Sequence, residues 1–298
     1  MQIFTELNKN QNLSLALGFF DGVHLGHQAV IKSAVNYAKE NGNKSAVVTF
    51  SDHPCCYFWG VCPQYILSRK DREEKIAQLG IDYLYELDFE SIAGLTAQDY
   101  LKDVLVNYFT PVSISTGWNH NFGCNKSGDV KFLHNNSKKY GYEYFELTPQ
   151  KYKDEIISST AIRKLLAKGD IEKANAMLGY KFEIKGEVVK GNQIGRTIGF
   201  RTANLEYPPE LINLPFGVYS TEVSLSDTPT KSKAIANFGT RPTVNGKNAV
   251  LEVHILDFDK DIYGETINVE FNKMIRTERK FSSLDALKNQ IKLDIDSI

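Results

Sequence analysis

The sequence predicts a chain of class α/β + β, a parallel-sheet half followed by an all-β half closed by a helix. Three observations carry this. Residues up to about 180 alternate short apolar runs with helix-period patterns. From about residue 182, strand candidates follow one another with Gly, Pro, Asn and Asp between them, the pattern of an antiparallel barrel or sandwich. A length of 298 residues is ample for two cores.

In the first half, 13–17 and 45–50 are apolar runs of strand length. Between them Val30, Ile31, Ala34, Val35 and Ala38 recur at helical spacing. Residues 72–79 read as a short helix ending at Gly80, and 81–87 as a strand. Residues 97–107 are helical, with Tyr100, Leu101, Val104, Leu105 and Tyr108 on one side, and 112–116 form another strand. In the second half the strand candidates are 182–189, 217–225, 234–238, 250–256 and 266–271. A final helical pattern carries Leu284, Leu287, Ile291 and Ile295. The change of texture places the domain boundary at 180/181, giving domains 1–180 and 181–298.

Charge is balanced, with 35 Lys+Arg against 36 Asp+Glu, so neither a nucleic-acid footprint nor a charged tail is present. The first residues lack the basic and apolar regions of a signal peptide, and no run reaches membrane length. The expectation is a cytoplasmic protein, monomeric or weakly oligomeric, acting on small molecules. Cys55, Cys56 and Cys62 cluster beside His53, but adjacent cysteines are poorly placed to share one tetrahedral ion. Reduced thiols are expected.

The most informative stretch is Gly18-Phe19-Phe20-Asp21-Gly22-Val23-His24-Leu25-Gly26-His27. It lies where a strand gives way to a helix, and a helix N-terminus favours anions. Small residues and two imidazoles suit a turn wrapped around a triphosphate. A strand–turn–helix with two incidental histidines is the plainer reading. Two further polar loops follow strands, Ser51-Asp52-His53-Pro54 and Gly117-Trp118-Asn119-His120-Asn121-Phe122-Gly123. In a parallel sheet such loops share one rim. Hydroxyls at Ser158, Ser159 and Thr160 precede a helical pattern that includes Arg163. A capping role explains the hydroxyls. Arg163 is read as lying in the first turn, where the dipole disfavours a cation and a bound phosphate would justify one.

In the second half Gly191, Gly195 and Gly199 recur every four residues, without a Walker lysine. Strand alternation puts Glu252 and His254 on one face, opposite Leu251, Val253 and Ile255. An exposed strand face and a catalytic carboxylate explain this equally well.

The Gly18–His27 turn resembles the HxGH nucleotidyltransferases, and more closely the adenylyltransferase half of the prokaryotic bifunctional riboflavin kinase/FMN adenylyltransferase (FAD synthetase) family. The His53, Asn119–Gly123 and Ser158–Arg163 motifs extend that resemblance. Asp52 and His120 stand where the family usually has proline and phenylalanine. The second half resembles riboflavin kinase through Gly195–Asn204, Gly217-Val218-Tyr219, Asn237–Thr243, Leu251–His254, Asp257-Phe258, Tyr263-Gly264 and Arg276–Phe281, with Arg201 replacing a proline.

The resemblance implies a Rossmann-like nucleotidyltransferase domain and a riboflavin-kinase β-barrel with a terminal helix. It implies conversion of riboflavin to FMN and of FMN to FAD, with ATP as co-substrate and Mg²⁺ as cofactor. It assigns catalysis to His24, His27, Arg163 and Glu252, and nucleotide binding to Gly18, Phe20, Asp21, Gly26, Ser159, Thr160, Gly191, Gly195, Arg196 and Gly199. Flavin binding falls to His53, Asn119, Phe122, Arg241 and Arg276, and metal binding to Thr202 and Asn204. The alternatives are a kinase with an impaired adenylyltransferase half, or a flavin-binding regulatory protein.

Overall fold

A computed structural model describes residues 1–191, 199–225, 230–243 and 246–298, with side chains at all of these except 241–243 and 246–248. The chain divides into two compact units, Met1–Ser159 and Thr160–Ile298, so the compositional boundary at 180/181 falls inside the second unit.

The first unit is an α/β domain. Its elements are β1 (Gln2–Phe4), β2 (Leu13–Leu17), α1 (Leu25–Asn41), β3 (Lys44–Phe50), α2 (Pro54–Trp59), α3 (Arg69–Gln78) and β4 (Tyr83–Leu87). There follow α4 (Ala97–Asp99), a π-helical stretch Tyr100–Val106, α5 (Asn107–Phe109) and β5 (Ser113–Gly117). A hairpin β6 (Asn121–Phe122) and β7 (Gly128–Asp129), α6 (Val130–Tyr140), β8 (Glu143–Leu147) and a hairpin β9 (Lys151–Tyr152) and β10 (Glu155–Ile156) complete it.

Six strands pair in parallel in the order β1-β4-β3-β2-β5-β8. Leu13, Leu15 and Leu17 face a core shared with Tyr100, Leu101, Val104, Leu105 and Phe109. The alternate residues face α1, whose Ser33 hydroxyl accepts a hydrogen bond from Ser115 at 3.0 Å. Helices therefore cover both faces, as a parallel sheet requires. All five apolar residues expected on α1 are buried. The 97–109 segment corrects one expectation. Its π turns carry an extra residue each, so the helix phase slips and Phe109 is fully buried while Tyr108 is only half-buried.

The second unit takes in most of α7 (Ser159–Leu166), then α8 (Ile171–Leu178), β11 (Glu183–Glu187), β12 (Ala203–Glu206), β13 (Gly217–Leu225), β14 (Ser232–Thr243), β15 (Gly246–Ile255), β16 (Thr266–Thr277) and α9 (Leu284–Asp296). The sheet runs β11-β16-β13-β14-β15-β12, antiparallel at every described pairing. A bridge between Val189 and Asn204 brings its two edges together, giving a nearly closed barrel. The Asn175 amide of α8 donates to Phe271 O (2.8 Å) and accepts from Phe182 N–H (2.7 Å), fixing that helix to the barrel.

The terminal helix departs from its pattern. Leu284 is 62 % exposed, and the residue α9 buries is Asp294. Asp294 takes Arg276 Nη2 at 2.9 Å and Arg276 Nε at 3.0–3.1 Å, so α9 is held by a forked ion pair as well as by its apolar side.

The cysteine expectation is also corrected. Gly60, in the left-handed region, ends α2 and turns the chain back, and a disulfide joins Cys56 to Cys62. Cys55 and Cys124 are free. Among the described residues no three His, Cys, Asp or Glu side chains gather as a metal site.

Candidate active sites

The strand order reverses direction between β2 and β5, and that switch point is where an open parallel sheet leaves a ligand crevice. The Gly18–His27 turn leaves the end of β2, the Asn119–Gly123 loop leaves β5, and His53 follows β3, the other neighbour of β2. The three loops share one rim, as their positions after strands of a parallel sheet predicted.

The turn is tightly built. Phe20 and Val23 adopt positive φ, at 60° and 35°. For a β-branched residue this is a strained conformation of the kind concentrated at functional sites. Gly22 sits at φ 79°, and a Cβ there would meet Ile66 Cδ1 at 2.8 Å. The buried Asp21 carboxylate accepts from Ile66 N–H at 3.0 Å, and the Asp21 carbonyl accepts from the Ser159 hydroxyl at 2.9 Å. Phe20 is buried, with the His27 ring edge-on at 5.3 Å. Gly18 N–H reaches Val48 O, and Gly26 lies under the His24 ring.

His24 is the N-cap of α1, and its Nδ1 accepts from His27 N–H at 3.3 Å. Burial pushes its pKa down to about 4. The ring is therefore neutral at pH 7, and because Nδ1 accepts, its hydrogen is on Nε2. The two imidazoles stack at 3.6 Å between centroids. His53 repeats the device, capping α2 and accepting Cys55 N–H on Nδ1 at 3.1 Å. Its ring meets the edge of Phe19 at 4.8 Å.

Sequence reasoning missed the group that ties these loops together. Arg72, on α3, is 3 % exposed. It donates to Phe50 O (2.9 Å) and Phe19 O (3.5 Å), pairs with the fully buried Glu86 carboxylate (2.8 Å), and lies over the Phe19 ring at 4.5 Å. It thus joins the ends of β2, β3 and β4. Nothing in the pattern of a polar helix marks one arginine in the charged run Arg69–Lys75 as buried.

Asn119 is exposed, and its carbonyl accepts from the Asn121 amide. Phe122 packs among Tyr100, His120 and Phe132. His120 Nε2 is buried without a hydrogen-bond partner, and burial lowers this histidine's pKa to about 4. On α7, which also carries Thr160, Arg163 falls in the last turn, not the first. The dipole favours a cation there without any bound phosphate, so a phosphate role for Arg163 rests on the motif alone.

In the barrel, β15 alternates as expected, with Leu251, Val253 and Ile255 buried and Glu252 and His254 half-buried. Register places Glu252 between Asn204 of β12 and Asn237 of β14, and opposed residues share a face. The same row continues through Val218 to Arg276. Asn204 donates to Thr202 O at 3.3 Å, and a Cβ on Gly191 would come within 2.5 Å of the Asn204 amide. Gly191 is thus required by close approach. A cavity of 190 Å³ opens beside Thr202 and Asn204, walled by Phe258 and Tyr263. Gly199 sits at φ 86°. Gly195 and Arg196 lie outside the described residues, as does the side chain of Arg241 on β14. Arg276 is engaged with Asp294 and also lies over the Phe281 ring.

A parallel-sheet domain with an HxGH turn at its switch point, joined to an antiparallel barrel with a carboxylate on its polar face, has the architecture of a two-domain transferase. Residues 6–161 match the FAD synthetase family and residues 178–298 the riboflavin kinase family. The bifunctional riboflavin kinase/FMN adenylyltransferase of Haemophilus influenzae is 36 % identical over 96 % of this chain and 93 % of that protein. Its Listeria monocytogenes counterpart is 35 % identical over 98 % and 91 %. A solved structure described as a macrolide-efflux protein from Streptococcus pneumoniae superposes with TM-score 0.89 at 33 % identity, over 99 % of this chain and 98 % of that one. Among the described residues no helix is long and apolar enough to cross a membrane. The chain belongs to the bifunctional riboflavin kinase/FMN adenylyltransferase family, whose members are ATP-dependent transferases.

Proposed function

We propose that the barrel transfers the γ-phosphoryl group of ATP to the 5′-hydroxyl of riboflavin, and that the parallel-sheet unit transfers the adenylyl group of ATP to the FMN so formed. The observation that carries the reading is the Gly18–His27 turn seated at the switch point of the sheet, in a chain that matches both families.

In adenylyl transfer, an FMN phosphate oxygen attacks the α-phosphorus of ATP and pyrophosphate leaves. A phosphate monoester has a second pKa of about 6 and is already ionised, so no base is required. The site has to position and neutralise charge. His24 offers Nε2–H as a neutral donor, held rigidly because Nδ1 is occupied by the helix it caps. His27, stacked on it, supplies a second imidazole. Arg163, Ser159 and Thr160 keep the phosphate roles that the resemblance assigns to them. His53, Asn119 and Phe122 are the proposed flavin contacts on the same rim.

In phosphoryl transfer the attacking alcohol is un-ionised at neutral pH, so a base is needed. Glu252 takes the hydroxyl proton as the oxygen attacks the γ-phosphorus, and ADP leaves. Asn204 and Asn237 flank it in register. The Thr202 and Asn204 oxygens form a hard donor set suited to Mg²⁺ completed by phosphates and water. Mg²⁺ would neutralise charge on the transferring phosphates.

Separate assays of the two steps test the assignment. Glu252→Gln should slow FMN formation by about 10²–10⁴-fold and leave conversion of supplied FMN to FAD intact. His27→Ala should do the reverse. Loss of both steps in either variant contradicts the division of labour.

A further inference from the structure

Arg201 immediately precedes Thr202 and lines the same cavity, with Asp259 facing it from the β15–β16 loop. The two form an ion pair between separate segments of the cavity wall. Their side chains are 58 % and 86 % exposed. The Arg201 backbone is anchored independently, because its carbonyl accepts from His254 Nδ1–H at 2.7 Å. The guanidinium is therefore free to leave Asp259 while the chain around Thr202 and Asn204 stays in place.

We propose that Arg201 is a nucleotide-phosphate ligand of the kinase site, held by Asp259 until ATP arrives and exchanged from that carboxylate to the polyphosphate on binding. The proposal rests on the barrel being the kinase. An exposed ion pair contributes little net stability. A polyphosphate carries more charge than one carboxylate and offers several oxygens to the planar guanidinium fork. Asp259 is a negative group in the wall of a cavity meant for an anion. Pairing with Arg201 masks it in the free enzyme, and its high exposure lets water solvate it once released. Asp259 thereby lowers affinity for ATP by competing for Arg201, which makes the pair a tuning element and not merely a strap. No covalent step is involved.

The test is the KM for ATP in riboflavin phosphorylation by the full-length protein, with thermal melting to verify folding. Arg201→Gln should raise KM about tenfold with a smaller change in kcat, the size expected for a hydrogen bond to a charged group. Asp259→Asn should lower KM about two- to fivefold, the range of an exposed pair, and should do nothing further when Arg201 is already Gln. Arg201→Lys, which keeps the charge and loses the fork, should fall between. An unchanged KM in Arg201→Gln overturns the proposal. So does a KM in Asp259→Asn raised as much as in Arg201→Gln. Titration with ADP by calorimetry separates this from the kinase reading. Arg201-dependent ADP affinity in a protein that forms no FMN keeps the ligand role and sinks the kinase. FMN formation with an Arg201-independent KM does the opposite.

Discussion

Replacing His24 with Gln should flatten the acid limb of the first unit's stability. In the fold the imidazole is 5 % exposed and its pKa is pushed down to about 4, against 6.5 when unfolded. Between those values the unfolded chain binds a proton that the folded chain refuses, so stability rises with pH across this window. The group contributes nothing to the pH dependence above about 6.5, and its destabilising effect accumulates as pH falls towards 4. At 1.36 kcal/mol per pH decade, the loss reaches about 3 kcal/mol at pH 4. His120, also pushed down to about 4, acts in the same window, so the wild type is steeper than His24 alone makes it. The chain's two tryptophans, Trp59 and Trp118, both lie in the first unit, so urea unfolding followed by tryptophan fluorescence reports that unit. Loss of the cap should cost His24→Gln about 1 kcal/mol at every pH. Its loss between pH 6.5 and 4 should be smaller than the wild type's by about 3 kcal/mol. Parallel curves would refute a buried, neutral His24 and the Nε2–H donor role derived from it.

Arg72→Met leaves the fully buried Glu86 carboxylate without its inner partner. Arg69, at 2.6 Å, still holds Glu86, so the expected cost is near the lower end for a broken buried pair, about 3 kcal/mol, read by the same unfolding assay. Loosening the ends of β2 and β3 should also raise the KM for FMN in adenylyl transfer. Asp294→Asn removes the charge that Arg276 grips, and amide hydrogen exchange along Leu284–Asp296 should accelerate while β13 and β14 keep their protection.

Periodicity made the strands and helices of the first unit legible wherever apolar residues lay on one clean stripe, as on α1. It failed where geometry altered the period, as in the π-helical 100–106 stretch, and where elements were short or polar. β1, β12, α2 and α6 carry too little apolar pattern to stand out. The rim of loops was readable because a parallel sheet sends every strand's end to one side. The row Asn204–Glu252–Asn237 was half readable. Alternation gave the face of Glu252, but only strand register shows which residues flank it. Arg72–Glu86, Arg201–Asp259 and Arg276–Asp294 were invisible as pairs, since partners 14, 58 and 18 residues apart meet only through tertiary structure. The Cys56–Cys62 bridge depends on a single glycine turn. Arg163 shows a different failure, since the helix start was placed too late and the electrostatic argument inverted with it.

The central claim is that one chain carries both transfers. Purified protein incubated with riboflavin, ATP and Mg²⁺, with flavins separated by chromatography over time, should yield FMN first and then FAD. Supplied FMN should yield FAD directly, with release of pyrophosphate. FMN that accumulates without FAD, even when FMN is the starting flavin, would contradict the adenylyl-transfer site at the Gly18–His27 turn.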